Sequence, residues 1–368
     1  MEIELYNLRR QYLLLKEELD AAIAEVIRKA QFIGGDEVAN FEEAFASYIG
    51  TNFCVGCGNG TDAIEILLQA LGVGKGDEVI VPVHSWVSTA SAVTAVGAKP
   101  VFVDTLPYRY TIDPAGIEKA ISAKTKAIMP VHLYGLPAEM DEIMAIAEKY
   151  QLYVVEDCAQ AHGATYKGRK VGSIGHAASF SFYPIKNLGT FGDAGAMVTN
   201  DSILAEKVKM LGNYGQKEKH QHLLHGRNSR LDTLQAAILS TKLPYLDEWN
   251  RLRRKLGSLY ATLLQDLPLR LPDNLGDRKS AVHLFVIQTG EREALANFLM
   301  ENGISTAVHY PQMLPMLPLY QSSSQKDSFP VSFAYQDKIL SLPLYPELQE
   351  KEVKYIAEKI TSFFRRAG

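Results

Sequence analysis

Residues 53–104 read FCVGCGNGTDAIEILLQALGVGKGDEVIVPVHSWVSTASAVTAVGAKPVFVD and alternate short apolar runs with longer amphipathic ones. Val- and Ile-rich runs without polar alternation are typical of strands covered on both faces, so we predict strands over Phe53–Gly56, Glu78–Val83 and Pro100–Asp104. The stretches between them, Asp62–Leu71 and Ser88–Val96, have the apolar spacing of helices. Strands that alternate with helices of about ten residues indicate crossover units and a mostly parallel sheet.

The same alternation continues to about residue 200, after which the rhythm changes. Up to that point we predict strands over 127–132, 153–156, 178–183 and 196–199, and helices over 115–120 and 139–150. The later part combines helical patterns with one clear strand, with helices over 231–249, 251–264, 291–302 and 350–364 and the strand over 282–289. This change separates a large α/β domain from a smaller α+β domain.

We place the large domain over 35–245 and the small C-terminal domain over 246–368. Residues 1–34 form an N-terminal segment that we expect to pack on the small domain. The polar stretch SSSQKDS, over 322–328, is predicted to be a surface loop.

The composition excludes several classes of protein. The chain has 368 residues, with 38 Lys and Arg against 42 Asp and Glu, and a formal net charge of −4. An apolar share of 47% is sufficient for a packed core. The absence of a basic block argues against nucleic acid as a partner, and no apolar run reaches the roughly 20 residues of a membrane span. The acidic, helix-periodic start is unlike a secretory signal, so we expect a soluble, cytoplasmic protein.

Cys54 and Cys57 form a CxxC pair, which raises the question of a redox or metal site. A closed zinc site requires about four ligands, whereas Cys158 stands far along the chain and no His pair accompanies these cysteines. We therefore interpret FCVGCG as a buried strand that runs into a turn, with cysteine as a small apolar residue. We predict no metal site.

A glycine-rich turn, Gly58–Ala63, follows the first of these strands and opens the next helix. Its G-x-G-x-x-A pattern resembles the dinucleotide-binding fingerprint. That use requires an acidic residue at the end of the second strand, but Asp77 and Glu78 precede or begin that strand. Two interpretations remain open: an anion site made by N–H groups at a helix start with the Thr61 hydroxyl, or an ordinary turn that Thr61 caps.

Two candidate functional residues stand at strand ends farther along the chain. Asp157 closes the run YVVED at the carboxyl end of a predicted strand, which is where α/β proteins bind ligands. The alternative is that Glu156 and Asp157 are a capping acid and a solvated acid. Lys186 follows the strand of SFSFYPIKNLG, five residues after Ser181. A lysine there is usually a solvated charge, but this one lies in a tight turn between a proline and a glycine.

Together these residues match the needs of pyridoxal 5′-phosphate (PLP). Its phosphate requires N–H and hydroxyl donors, which a helix start supplies. Its ring nitrogen is kept protonated by a carboxylate such as Asp157, and its aldehyde requires a lysine such as Lys186, which then serves as general base. Its ring requires a flat apolar neighbour, which Trp86 can supply. A nicotinamide enzyme would not need the lysine.

At this point the sequence resembles the DegT/DnrJ/EryC1/StrS family of PLP-dependent sugar aminotransferases. The resemblance runs essentially end to end and is carried by GNGTDA (58–63), VPVHSWVSTASAV (81–93), KPVFVD (99–104), VHLYG (131–135), VVEDCAQAHGA (154–164), SFSFYPIKNLG (179–189), GDAGAMV (192–198) and NSRLDTLQAAIL (228–239). It implies a fold-type I PLP-dependent transferase, similar to aspartate aminotransferase, and a homodimer with shared active sites.

The same resemblance implies a role for each cofactor-binding position. Lys186 would form the Schiff base with PLP, and Asp157 would pair with its ring nitrogen. Trp86 would stack on the ring, and Gln160 would lie beside the ring hydroxyl. The phosphate would be held by the backbone N–H groups of Gly60 and Thr61 and by the hydroxyl of Ser181.

Other positions are implied to serve the substrate or the second subunit. Asn228 would reach the cofactor phosphate of the other subunit. His309 and Tyr310, in TAVHYP, match a segment that approaches the sugar in relatives. Arg230 would either contact substrate or be a structural arginine at a helix start. His162 would either belong to the site or be a packed histidine behind the ring.

The implied activity is a two-stage amino transfer. An amino acid, with glutamate as the expected donor, would leave its amino group on the cofactor as pyridoxamine phosphate (PMP), and a nucleotide-linked keto sugar would take it. GTDA, HLYG and NSRLDTLQAA favour amination at C3 over C4, whereas QMLPML (312–317) departs from the usual run and leaves the sugar and its nucleotide, dTDP or UDP, open. The alternatives are a C4-aminating member and a PLP-binding regulatory protein without turnover. A sugar dehydratase would have histidine in place of Lys186.

Overall fold

The computed structural model of the protein describes residues 1–273, 276–320 and 328–366. The loop predicted over 322–328 lies outside these residues except for Ser328. Within the described ranges, no helix combines the length and the apolar character needed to cross a membrane.

Helices and strands alternate between residues 53 and 157, as predicted, whereas the strands that follow, up to residue 199, have no α-helix between them. The helices are α1 (Leu8–Leu14), α2 (Lys16–Lys29), α3 (Asp36–Ile49), α4 (Gly60–Ala70), α5 (Ser88–Ala95), α6 (Pro114–Ala120), α7 (Met140–Tyr150), α8 (Ser202–Gly212), α9 (Thr233–Lys242), α10 (Leu246–Leu264), α11 (Arg292–Glu301), α12 (Pro330–Gln336) and α13 (Glu350–Arg366). The strands are β1 (Phe53–Cys57), β2 (Glu78–Pro82), β3 (Lys99–Val103), β4 (Thr125–Ile128), β5 (Tyr153–Asp157), β6 (Thr165–Tyr166), β7 (Arg169–Lys170), β8 (Ala177–Ser181), β9 (Gly195–Thr199), β10 (Gln216–Glu218), β11 (Gln221–His222), β12 (Arg278–Lys279), β13 (Phe285–Gln288) and β14 (Ile339–Leu342).

In the described residues, seven strands form the main sheet in the order β1-β9-β8-β5-β4-β2-β3. The pairs β2–β3, β2–β4, β4–β5 and β5–β8 are parallel, whereas β9 runs antiparallel to both of its neighbours. The predicted α/β fold with a mostly parallel sheet is therefore confirmed. Because β5 and β8 are parallel neighbours, the residues that follow them meet at one edge of the sheet, and Asp157 lies opposite Ser179.

The connection from β8 to β9 carries Lys186. The chain leaves β8 after Ser181 and returns at Gly195, which pairs with Ser181 on one side and with Cys57 of β1 on the other. A Cβ on Gly195 would lie 2.5 Å from the carbonyl carbon of Asn59, so glycine lets β9 pass this close to the start of α4. The helix start and the end of β8 are therefore packed side by side.

Apolar side chains cover both faces of the sheet. On one face, Phe45 of α3 meets the ring of Phe180 edge to face, with centroids 5.0 Å apart, in a core that includes Ile143 of α7. On the other face, Ile66 of α4 and Val81 of β2 belong to a second core that includes α5 and α8. Burial on both faces explains why these strands lack polar alternation. The cysteines of the CxxC pair are buried in these cores as free thiols.

The C-terminal part has its own core, formed by α10, α11, α13 and the antiparallel pair β13–β14. The structure differs from the helix predicted over 231–249, because a short 3-10 turn, Leu243–Tyr245, separates α9 from α10. Pro244 lies in this turn and lacks the N–H that a continuous helix would need. Since α10 begins just after the turn, we retain 35–245 and 246–368 as the proposed domain limits.

The N-terminal segment, 1–34, contacts both parts of the chain. Ile3 forms a bridge with Ile304, and Arg10 forms a two-pronged ion pair with Glu352 at 2.7 and 2.8 Å, so the first residues contact the C-terminal part of the chain. The prediction differs from the structure for α2. Its apolar face, which includes Leu19, packs on α9 within the stretch assigned to the large domain.

Candidate active site

The carboxyl ends of β5 and β8, the start of α4 and the segment after α11 enclose a cleft of about 480 Å³. The cleft lies at the carboxyl edge of the parallel strands, where open α/β sheets bind ligands. It brings together these predicted site residues: Gly60, Thr61, Trp86, Asp157, Gln160, Ser181, Lys186, His309 and Tyr310.

The start of α4 forms one wall of the cleft. The Asn59 side chain accepts a hydrogen bond from the Asp62 N–H at 2.9 Å and therefore caps the helix. The N–H groups of Gly60 and Thr61 belong to the first turn, where no helical carbonyl precedes them as an acceptor. Asn59 rather than Thr61 is thus the cap, and the Thr61 hydroxyl instead shares a 2.7 Å hydrogen bond with Ser88.

Ser181 lies directly against this helix start. A Cβ placed on Gly60 would lie 2.7 Å from the Cβ of Ser181 and 3.3 Å from its hydroxyl oxygen. Glycine at position 60 therefore leaves a small space between backbone N–H groups and a hydroxyl, all of which can donate to an anion. Of the two interpretations of the glycine turn, the geometry favours the anion site.

Asp157 is the buried acid among the residues that line the cleft. It is buried, and its carboxylate accepts hydrogen bonds from the Thr89 hydroxyl at 3.2 Å and from the Ala159 N–H at 3.1 Å. Burial raises the pKa of Asp157, and the nearby Lys186 partly offsets that rise. A buried carboxylate with few donors is poised to take a cationic partner.

Glu156, the neighbouring acid, has a structural role. Its carboxylate accepts hydrogen bonds from His132 Nε2 and from three backbone N–H groups of the 172–175 turn, at 2.7 to 3.0 Å. Burial opposes its ionisation, but the hydrogen bond from His132 and the backbone donors hold the pKa of Glu156 below its ordinary value. Its possible ligand atoms lie within 4.8 Å of those of His132 and Cys158, yet both carboxylate oxygens are already engaged. Neither acid is solvated, so the alternative reading of a capping acid beside a solvated one is wrong.

Lys186 lies in a compact turn at the edge of the cleft. Its N–H donates to the Tyr183 carbonyl at 2.9 Å, and a Cβ on Gly189 would lie 2.3 Å from the Pro184 carbonyl oxygen, so the turn closes on itself. Burial lowers the pKa of Lys186 to about 8, although Asp157 acts in the opposite direction. A useful fraction of this amine is therefore neutral near neutral pH and can act as nucleophile or base.

Gln160 joins the sheet edge to the segment that contains His309 and Tyr310. Its amide oxygen accepts from the Tyr134 N–H at 2.8 Å, and its amide nitrogen donates to the Tyr310 hydroxyl at 3.0 Å. The Tyr134 hydroxyl donates to the carbonyl of His309, so Tyr134 binds both Gln160 and the segment that contains His309 and Tyr310. These bonds fix Gln160 and Tyr310 at the cleft.

Trp86 and Tyr310 form an aromatic wall. Their ring centroids are 5.3 Å apart with planes tilted by 46°, and Trp86 is 55% exposed. An exposed indole at the mouth of a polar cleft offers a flat apolar face to a ligand ring.

Two predicted residues lie outside this cleft. Asn228 is exposed and forms an isolated bridge with Asn213. The Arg230 guanidinium lies 3.4 Å from the Asn213 side-chain oxygen and near the Tyr214 ring. Their assigned roles stay predictions.

His162 is a packed histidine. Its ring lies 5.4 Å from Phe180 and 5.6 Å from Phe182, and neither ring nitrogen has a hydrogen-bond partner among the described residues. Burial and, after it, the nearby Lys186 lower its pKa to about 3, so the imidazole is neutral. The geometry favours the packed interpretation.

Several residues of the site have no separate motif in the sequence. His84 is fully buried and lies 2.7 Å from the Tyr134 hydroxyl, and burial lowers its pKa to about 3. Thr89 donates to Asp157, and Asn187 binds three distant groups beside Lys186. His84 and Thr89 lie within VPVHSWVSTASAV and Asn187 lies within SFSFYPIKNLG, which was the available signal, but their partners are far away in the chain.

The chain is similar to enzymes and to a protein with a regulatory name. It is 45% identical to the "Pleiotropic regulatory protein" of Geobacillus stearothermophilus, over 99% of each chain. It is 44% identical to the "dTDP-3-amino-3,6-dideoxy-alpha-D-galactopyranose transaminase" of Aneurinibacillus thermoaerophilus, over 98% of this chain and 99% of that protein. It is 41% identical to the "UDP-2-acetamido-2-deoxy-3-oxo-D-glucuronate aminotransferase" of Pseudomonas aeruginosa, over 98% and 100%.

Solved structures share the fold. S. venezuelae DesV, in complex with a ketimine intermediate, superposes with a TM-score of 0.96 at 42% identity, over 98% of each chain. Bacillus subtilis NtdA, with bound cofactor PMP, superposes with a TM-score of 0.92 at 32% identity, over 99% of this chain and 85% of that one. The model of the DegT/DnrJ/EryC1/StrS aminotransferase family matches residues 14–361. The resemblance inferred from the motifs is thereby confirmed, and the chain belongs to this family of aminotransferases.

Proposed function

We propose that the protein is a PLP-dependent aminotransferase that transfers the amino group of glutamate to C3 of a nucleotide-linked keto sugar. The observation that carries this proposal is that Lys186 and Asp157 line one cleft beside the start of α4. An amine, a carboxylate and an anion site are the groups that PLP needs at its aldehyde, its ring nitrogen and its phosphate.

The residues of the cleft fit PLP. The space that a Cβ on Gly60 would fill suits a phosphate oxygen, with the N–H groups of Gly60 and Thr61 and the hydroxyl of Ser181 as donors. Asp157 would face the ring nitrogen and Trp86 the ring, with Gln160 beside the ring hydroxyl. When bound, PLP supplies an electron sink for the carbon next to the transferred nitrogen.

We assign proton transfer to Lys186 and the stabilisation of positive charge to Asp157. The lowered pKa of Lys186, about 8, lets its amine take up a proton and return it at a neighbouring atom. Asp157 holds positive charge at the atom it faces, because a cationic partner favours the ionised form of a buried carboxylate. His309 and Tyr310, which Tyr134 and Gln160 hold at the cleft, are proposed to contact the sugar.

The names of two relatives support the substrate class. One names a dTDP-linked 3-amino sugar and the other a UDP-linked 3-oxo sugar, so both point to position 3 and leave the nucleotide open. For Asn228, which lies outside this chain's cleft, we propose a homodimer in which it reaches the partner's cofactor phosphate. For Arg230, which also lies outside the cleft, we propose a contact with the substrate. We place the reaction in the cytoplasm.

Absorption spectra and a substrate panel test the proposal. PLP added to the purified protein should give a visible band that borohydride bleaches, and glutamate should change that band. The loaded protein is then incubated with glutamate and dTDP- and UDP-linked 3-keto and 4-keto sugars, and the products are identified by mass spectrometry and NMR. Amination of a 3-keto sugar is expected. Amination of 4-keto sugars alone would favour the C4 alternative, and a band that glutamate leaves unchanged would favour a PLP-binding regulator.

The variant Gly60→Ala tests the phosphate site. Its methyl group would lie 2.7 Å from the Cβ of Ser181 and would occupy the space assigned to the phosphate, so we expect PLP affinity to fall by at least about tenfold. Gly74→Ala is the control, because its methyl group would meet its nearest neighbour at an ordinary 3.7 Å. Titration of the cofactor-free variants with PLP measures both. If Gly60→Ala binds PLP with the affinity of wild type, the phosphate of PLP must bind at another place.

A further inference from the structure

Asn187, which directly follows Lys186, engages both amide hydrogens and the amide oxygen of its side chain. The side chain is buried, and its amide nitrogen donates to the Asn250 side-chain oxygen at 2.8 Å and to the Ala281 carbonyl at 2.8 Å. Its amide oxygen lies 3.0 Å from Nδ1 of His283. An asparagine amide offers two hydrogens and a carbonyl oxygen, and all are engaged here.

The partners also fix which way the amide faces. Two carbonyl oxygens surround the amide nitrogen, so a flipped amide would place oxygen against oxygen at Asn250 and at Ala281. The amide oxygen must therefore face His283, and Nδ1 of His283 must carry the hydrogen. Burial holds the pKa of His283 well below its ordinary value, and nearby Lys186 and Arg253 lower it further, so the ring stays neutral and keeps this hydrogen bond.

These three partners connect the lysine turn to the rest of the site. Asn250, on α10, donates to the carbonyl of His162 at 2.7 Å, in the loop that follows Asp157. The N–H groups of Ala281 and His283 donate to the carbonyls of Gly135 and Tyr134 at 3.0 and 2.9 Å. Tyr134 in turn binds Gln160. The turn of Lys186 and the loop of Asp157 are thus held by one continuous network.

We propose that Asn187 is a positioning residue, which fixes Lys186 relative to Asp157 by tethering its turn to α10 and to the 281–283 segment. The proposal rests on the proposed function, because it assigns Lys186 the reacting amine. The tether also ties the lysine to the C-terminal part of the chain, since 281–283 leads directly into β13. A shift of that segment would therefore move the amine.

The protonation of Lys186 reports on this tether. The titratable groups that influence Lys186, or that it influences, are Asp157, His162, His283 and His309. Burial lowers the pKa of His162 to about 3 and that of His309 to about 4, and His283 is also neutral. Among these groups Asp157 is the one that acts on the pKa of Lys186, which it raises. A change in the pKa of Lys186 therefore reflects its burial and its placement relative to Asp157.

The experiment compares Asn187→Ala with wild type in the cofactor-free protein. Lys186 is reductively methylated across a pH series, and the peptide that contains it is quantified by mass spectrometry to give the midpoint of its reactivity. Loss of the tether should loosen the turn and admit water, so the midpoint should rise by at least about half a unit. In the loaded enzyme kcat should fall by at least about tenfold, with a smaller change in KM.

Ile143→Ala is the control for a structural loss alone. Ile143 is buried in the core on one face of the main sheet and forms none of the hydrogen bonds of the tether, so its variant should keep the midpoint of wild type. His283→Ala removes one of the three bonds and leaves both donors of Asn187 paired. It should raise the midpoint of Lys186 by a smaller amount than Asn187→Ala does. If Asn187→Ala does not fold, His283→Ala tests the proposal in its place.

A midpoint in both tether variants equal to that of wild type would overturn the proposal. A midpoint that Ile143→Ala shifts equally would overturn it too, because general loosening would then account for the effect. If wild type shows no amino transfer, the proposed function fails on its own, while the midpoint of Lys186 still decides the tether.

Discussion

Replacing Lys186 with alanine is expected to lower kcat for amino transfer by at least about a thousandfold, the scale of a lost general base. No other amine lines the described cleft, and the lowered pKa of Lys186, about 8, suits it for proton transfer. The proposed phosphate donors at Gly60, Thr61 and Ser181 remain in the variant. PLP should therefore still bind, and equilibrium dialysis measures this alongside single-turnover kinetics.

Two further variants sharpen this result. Lys186→Arg keeps a cation but should be as inactive as the alanine variant, because a guanidinium does not give up its proton near neutral pH. Lys126→Ala removes an exposed lysine on β4 and should keep wild-type activity. Turnover of Lys186→Ala at the wild-type rate would refute the assignment of this lysine.

Asp157→Asn should lower kcat by at least about a hundredfold and yet leave the cofactor-free protein more stable at neutral pH. The loss follows from removing the negative charge beside the ring nitrogen. The gain follows from burial, which raises the pKa of Asp157 in the folded state above that in the unfolded state. The contribution of this group to stability is then full below its unfolded pKa and is lost as pH rises through its folded pKa.

Urea unfolding of the cofactor-free protein at several pH values measures this effect. The urea midpoint of Asp157→Asn should exceed that of wild type at neutral pH, and the difference should vanish toward acidic pH. Glu156→Gln is the matched control on the adjacent residue. Its new amide group would face the donors of His132 and the 172–175 turn, so it should destabilise the fold by about 3 kcal/mol.

An Asp157→Asn variant that unfolds at lower urea concentration than wild type at neutral pH would show that the carboxylate stabilises the folded state. An Asp157→Asn variant with wild-type kcat would remove it from the catalytic site. The two acids would then have to exchange the roles assigned to them here.

The sequence was sufficient to predict most of the alternation of strands and helices and the carboxyl ends of most strands to within two residues, whereas β4 ends at Ile128, four residues before the predicted end. The periodicity of apolar residues is a local property of the sequence. A lysine between a proline and a glycine can likewise be recognised from a few consecutive residues. It also indicated the cofactor, because PLP needs several distinct groups and the chain supplies each at a strand end. Pro244 could have predicted the break between α9 and α10, since proline is a known interruption of helices.

The tertiary structure decided the rest. Two adjacent acids close one strand, but neighbouring side chains point to opposite faces, so packing decides which of Glu156 and Asp157 faces the cleft. Asn59 rather than Thr61 caps α4, which depends on side-chain geometry that spacing leaves open.

The sequence by itself determined the class of fold and the groups that carry the chemistry, because both follow from local patterns of apolar, turn and reactive residues. The placement of those groups was decided by the tertiary structure. Asn187 meets Asn250, Ala281 and His283, and Tyr134 meets His84 and the carbonyl of His309, all from distant parts of the chain. Hydrogen bonds between distant residues form only after the elements have packed, so no local pattern records them.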